Sequence, residues 1–202
     1  YDITDRDAYI PWNGFMNDGN KLGDEHIFYM FKRKPGFFDM FKYHGRQSFV
    51  EPSLTHTPHQ LGVQPDLVII KSLGTNNFNN ATQYCNGWIV WSKAAGAAGI
   101  HDERENTCYM NNGPVGTRYM LWGDMIADAL TAETVRMHTG IINHTGVTGY
   151  MMYLFANREG IFHTGLYTGA GIGNTVDVTD LGFSPRILMI KCVTDSGNWW
   201  VW

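Results

Sequence analysis

Apolar positions in this chain come in short bursts separated by glycine, proline and asparagine, a spacing that predicts strands and turns and not long helices. Residues 37–43 and 161–167 are aromatic-rich runs, each followed two residues later by glycine, and are expected to be a strand entering a turn. The glycines there, Gly45 and Gly169, are expected to need a positive φ. Residues 67–71 and 187–191 are short runs after a proline, apolar up to a closing lysine, the pattern of a strand buried on both faces. Between Lys191 and Trp199, the run Asp195-Ser-Gly-Asn198 predicts a hairpin turn. Helical spacing occurs in residues 124–137, where Met125, Ile126, Ala129 and Leu130 share a face and Asp124 can cap. That run is short and predicts at most two turns. Residues 92–117, rich in Ala, Gly and Asn, read as a long connection.

The bursts repeat. Residues 28–45 set over 152–169 match without gaps at Tyr29/Tyr153, Phe31/Phe155, Gly36/Gly160, Phe38/Phe162, Tyr43/Tyr167 and Gly45/Gly169. Residues 61–71 set over 181–191 match at Leu61/Leu181, Gly62/Gly182, Pro65/Pro185, Ile70/Ile190 and Lys71/Lys191. Eleven identities in 29 positions compare with about two expected from ordinary composition. A third block places Trp88-Ile-Val-Trp91 over Trp199-Trp-Val-Trp202. Block order is kept while spacer lengths differ, as loops on a common β scaffold allow. The expected fold is therefore all-β, an antiparallel β-sandwich built from two copies of one repeat. The first copy and its connecting loop occupy residues 1–105, and the second occupies residues 106–202. The chain starts at Tyr1 without Met and stops at the block that the first copy reaches at Trp91, so it is expected to be a piece of a longer protein or to be completed by a neighbour. Trp199, Trp200 and Trp202 are the expected assembly edge, pairing with another chain or with residues beyond 202.

Composition supports a packed chain. Of its 202 residues, 44% are hydrophobic and 17% charged, so disorder is not expected. The formal charge of -4 and the scatter of Lys and Arg give no electrostatic footprint for nucleic acid. The basic cluster Lys32-Arg33-Lys34 precedes Pro-Gly and reads as a solvated turn. No apolar run has the length of a membrane span, so membrane insertion is not expected. Cys85, Cys108 and Cys192 show neither CxxC nor metal spacing, and an odd count argues against a disulfide framework; a Cys85–Cys108 bridge stays open, but three thiols in a reducing cytoplasm are the better reading.

Taken together, Lys34-Pro-Gly-Phe-Phe-Asp39, Tyr167-Thr-Gly-Ala-Gly171, Leu61-Gly-Val-Gln-Pro65 and Leu181-Gly-Phe-Ser-Pro185 resemble a repeat of tail-fibre and other virion proteins of tailed phages, marine ones especially. The resemblance covers residues 8–91 and 134–202, and departs at Tyr43-His-Gly-Arg46 and in the insertion at 72–87. It implies a β-sandwich virion component, assembled in the bacterial host cytoplasm and sometimes joined to lectin-like domains in a host-binding fibre. No catalytic residue carries over with it.

Candidate chemistry is sparse. Gly169-Ala-Gly-Ile-Gly173 lacks the GK[ST] ending of a phosphate loop and reads as a turn. In His56-Thr-Pro-His59 the proline prevents a helical ligand face. Asp2, Asp5 and Asp7 could offer oxygen ligands to Ca²⁺, but the EF-hand glycine and bidentate glutamate are missing, and a solvated segment is the simpler reading. Asp102, Glu103 and Glu105 supply carboxylates in a polar loop, where solvation is the ordinary fate, and no Gly-x-Ser-x-Gly elbow frames a nucleophile. The matched Trp pairs read as core packing for at least one Trp each. Asn76, Asn77, Asn79, Asn80 and Tyr84, in the insertion, are the expected recognition loop. The expectation is a phage virion structural protein without cofactor or enzymatic activity. Its partners would be other virion proteins, copies of itself and a host-surface glycan. The rivals are a carbohydrate-binding module or tailspike-type glycan hydrolase, and a bacterial extracellular filament or surface-layer protein.

Overall fold

A computed structural model of the chain describes residues 8–9, 16–17, 30–45, 55–73, 88–96, 107–109, 130–137, 149–179, 181–192 and 199–202. Two compact units separate at Lys32 and Arg33. In the first, β1 (Ala8–Tyr9) pairs antiparallel with β2 (Met16–Asn17).

The second unit holds β3 (Phe38–Tyr43), β4 (Thr55–Pro58), β5 (Leu67–Ser72), β6 (Trp88–Ser92), the single helical turn α1 (Lys93–Gly96), β7 (Thr107–Tyr109), β8 (Thr134–Met137), β9 (Tyr150–Phe155), β10 (Met189–Ile190) and β11 (Trp200–Val201). All pairings between these strands are antiparallel, and the fold is all-β. Five strands form one sheet in the order β3-β9-β5-β6-β7; β4 pairs with β8, and β10 with β11, as two-stranded ribbons.

β9 lies between two strands of the first copy. Leu154 faces Asp39 of β3 on one side and Val68 of β5 on the other, and Met152 faces Phe41 and Ile70. Alternation along β9 buries Tyr150, Met152 and Leu154, and β5 buries Val68, Ile70 and Ser72 in the same rhythm. β5 is therefore buried on one face and half-buried on the other, not fully buried on both as its apolar run suggested. The core joins these residues to Tyr43, Ile89 and Trp91 of the sheet and to Leu61, Leu130 and Val135 beside or within the β4–β8 ribbon. Burying each such side chain stabilises the fold by about 1.5–3 kcal/mol before entropy is counted.

Three local expectations change. Residues 134–137, the end of the stretch with helical spacing, are strand β8, paired residue for residue with β4; residues 124–129 lie outside the described set. The tight turn Thr131–Thr134, closed by Thr131 Oγ accepting from Thr134 N–H at 2.9 Å, commits that segment to a ribbon. The 92–117 connection contains α1 and β7, because β6 has a free edge that Thr107–Tyr109 can pair with. Gly169 does not take a positive φ; among the described glycines it falls at the matched pairs Gly36 (72°) and Gly160 (73°), and Gly62 (75°) and Gly182 (69°), and at Gly171 (89°) and Gly173 (82°).

Candidate interaction surface

The repeat is visible as geometry. In the first copy, Lys34 C=O accepts from Phe37 and Phe38 N–H at 3.1 and 3.0 Å, and Lys34 N–H donates to Phe38 C=O at 2.8 Å. In the second, Arg158 C=O accepts from Ile161 and Phe162 N–H at 3.0 Å each, and Arg158 N–H donates to Phe162 C=O at 2.8 Å. The strand pairs correspond as well. Ile69 faces Val90 and Ile70 faces Ile89 in β5–β6; their counterparts Met189 and Ile190 face Val201 and Trp200 in β10–β11. The third block therefore keeps its register, and the pairing expected across 195–198 is present.

The two turns meet. Phe155 stacks on Phe162 with ring centroids 5.2 Å apart and lies 4.7 Å from Phe38, while Phe37 is 6.1 Å from Phe162. Arg158 donates to Pro35 C=O at 3.3 Å. Aromatic contacts of this kind add about 0.5–1.5 kcal/mol each beyond burial.

After these turns the copies diverge. In the first, β3 continues for six residues against β9. In the second, the equivalent residues 162–167 form no strand beyond the Arg158–Phe162 bridge. The first copy anchors its strand with a buried carboxylate. Asp39, 1% exposed, accepts from Arg33 Nε and from Met40 N–H on one oxygen, and from Gln60 N–H at 2.6 Å on the other. Arg33 is thus an ion-pair partner, and the basic cluster is more than a solvated turn. Nearby, His59 Nε2–H donates to Thr131 C=O at 3.2 Å, and Nδ1 accepts from Leu61 N–H at 3.2 Å. Burial holds the His59 pKa below its ordinary 6.5, against the opposing pull of the Thr131 carbonyl and Asp39. Gly36 N–H closes the corner on Leu61 C=O at 2.6 Å. In the second copy His163 stands where Asp39 does, and Asn157 where Arg33 does; Asn157 Oδ1 accepts locally from Thr164 N–H at 2.7 Å. Sequence reading missed the Arg33–Asp39–Gln60 lock, whose partners lie up to 27 positions apart.

The consequence is a surface. Val68, Ile89, Val90 and Trp91 are 0–4% exposed, whereas their counterparts Leu188, Trp200, Val201 and Trp202 are 43%, 61%, 49% and 75% exposed. Trp91 is in the core as its repeat position suggested, but Trp200 and Trp202 are at the surface, because no second layer covers them among the described residues. Trp199 is half-buried. Of the expected assembly edge, Trp200 and Val201 pair within the chain, with β10. Ile161, Leu166, Tyr167 and Ile187 add exposed apolar area to the same copy. Large apolar side chains left exposed on one ribbon, as on β10–β11, are the kind that association covers.

Asp2, Asp5 and Asp7, the loop candidates Asn76, Asn77, Asn79, Asn80 and Tyr84, and Asp102, Glu103 and Glu105 lie outside the described residues. So does Cys85; Cys192 is exposed and in no disulfide. Among the described residues no cluster of His, Cys, Asp and Glu has the arrangement of a metal site, and no helix is long and apolar enough to cross a membrane.

No curated protein and no solved structure matches the sequence. A family model does, over residues 38–202, from the start of β3 through the second turn and both Trp-rich strands. The chain belongs to the family described as Domain of unknown function (DUF7483).

Proposed function

We propose that this chain is a structural component of a bacteriophage virion, a tail fibre or another surface part of the tail, that works by assembling β repeats and not by catalysis. The observation that supports this reading most is β9: a strand leading into the second copy completes the sheet of the first. A repeat that takes an interior strand of its sheet from the next unit suits a concatenated part. In this reading each finished unit is a β-sandwich, the partners are other virion proteins and further copies of the repeat, and loops between strands touch a host-surface glycan.

Immunogold electron microscopy of purified particles carrying an epitope-tagged chain tests it. Regular labelling of the tail or its fibres is expected. Label confined to the host envelope would overturn the reading in favour of a surface-layer protein. Oligosaccharide released from host cells and abolished by Asp102→Ala, Glu103→Ala and Glu105→Ala together would overturn it in favour of a hydrolase.

A further inference from the structure

The first copy shows what the second copy's exposed surface is built to hold. β5 pairs on one edge with β6 and on the other with β9, the strand that leads into the next repeat turn. β10 has the β6-type partner, β11, in the same register, and its other edge pairs with no described strand. Leu188 and Trp202 exchange both backbone hydrogen bonds, at 3.0 and 2.9 Å. Antiparallel alternation then turns the N–H and C=O of Ile187, Met189 and Lys191 to the opposite edge. These are the counterparts of Leu67, Ile69 and Lys71, which in the first copy stand opposite Phe155, Tyr153 and Met151 of β9.

We infer that the open edge of β10 is an acceptor for one strand, the leading strand of a further unit of this same repeat, entering antiparallel as β9 enters beside β5. Residues 162–167, opposite β3 in the repeat alignment, then pair with its far edge. The occupant's chemistry follows from β9: aliphatic or aromatic side chains at alternate positions, Met152 and Leu154 going to the core, followed by Phe155 at the turn. This chain carries a second sequence of that pattern, Phe28-Tyr-Met-Phe31, aligned with Met152-Tyr-Leu-Phe155. Main-chain pairing supplies affinity and the alternate side chains supply specificity, as in strand addition generally. The occupant covers an edge that is a liability for a free protein.

The inference deepens the assembly reading, and the two fail separately, because strand capture is measured on the purified chain and virion location on particles. The probe is a synthetic peptide of residues 149–156 with lysines at both ends for solubility, added to the full chain. Saturable 1:1 binding is expected, with new amide protection at residues 187–191. A peptide carrying Met152→Asp and Leu154→Asp should bind at least about tenfold more weakly, since each buried charge costs more than about 1.4 kcal/mol. Met189→Pro in the protein removes an N–H aimed at the acceptor edge and should weaken binding similarly. The peptide variants keep the test independent of how Met189→Pro folds. Absence of binding, or binding unchanged by the two aspartates, overturns the inference.

Discussion

Asp39 and His59 are the residues whose chemistry is most committed to one conformation. Asp39 is nearly inaccessible and satisfied by three donors, so Asp39→Ala would leave the Met40 and Gln60 N–H groups without their acceptor. Such orphaned buried groups cost about 1–3 kcal/mol each. Arg33, half exposed, contributes less than about 1 kcal/mol on its own. Urea unfolding should therefore show a much larger loss for Asp39→Ala than for Arg33→Ala, and equal losses would contradict this account. His59 gives a pH dependence of known sign. Its folded pKa lies below 6.5, so as pH falls the unfolded chain takes the proton first. This contribution is constant above about pH 6.5 and destabilises as pH drops through the window below it, where protonation also removes the Nδ1 acceptor of Leu61 N–H. The urea midpoint should fall between pH 7.5 and 5, and fall less in His59→Gln; identical slopes in the two proteins would exclude His59 as the source.

At the level of elements, the repeat turns and β9 matter most. Gly36 and Gly160 share a left-handed backbone, which costs an L-residue about 1–2 kcal/mol. A Cβ at Gly160 meets nothing within 4 Å, whereas one at Gly36 comes 3.2 Å from the Arg158 guanidinium. Gly36→Ala should thus destabilise at least as much as Gly160→Ala. Gly169→Ala, at ordinary φ and with open space around it, should be nearly neutral in thermal unfolding. A large loss there would mean that the post-strand turn has a role its geometry does not show. Within β9, Leu154→Ala empties a fully buried position shared by β3 and β5 and should cost about 2–5 kcal/mol.

Across the whole second unit, burial is concentrated before residue 157. The core cluster ends at Ala156, and most of the described residues after 164 are exposed. A chain stopped after Thr164, which keeps Phe162 against Phe155, should retain the five-stranded sheet. Hydrogen exchange should show β5 and β9 protected as in the full chain. Loss of that protection would show that residues 165–202 stabilise the sheet through contacts not visible in their burial.

The all-β class and the repeat itself were legible in the amino-acid pattern, because they depend on interactions between near neighbours. Glycine at the 36/160 and 62/182 positions and proline before the apolar runs are local signals, and the β5–β6 pairing recurs in β10–β11 with its register intact. The one-faced burial of β5 and the absence of a strand through residues 163–167 were not legible, since both depend on which partner packs alongside. Which copy is buried was not legible. Trp91 and Trp202 occupy the same repeat position, yet one is 2% and the other 75% exposed. The difference lies in what packs against them: β8 and β9 join the core around Trp91 from 43 to 64 positions further along the chain, and no described strand covers Trp202 in the same way. Likewise residues 134–137 carried helical spacing but became β8, since pairing with β4 and burial of Val135 outweigh a weak intrinsic preference. Local sequence determined the pieces; long-range packing decided which of them became core and which were left as a surface for another strand.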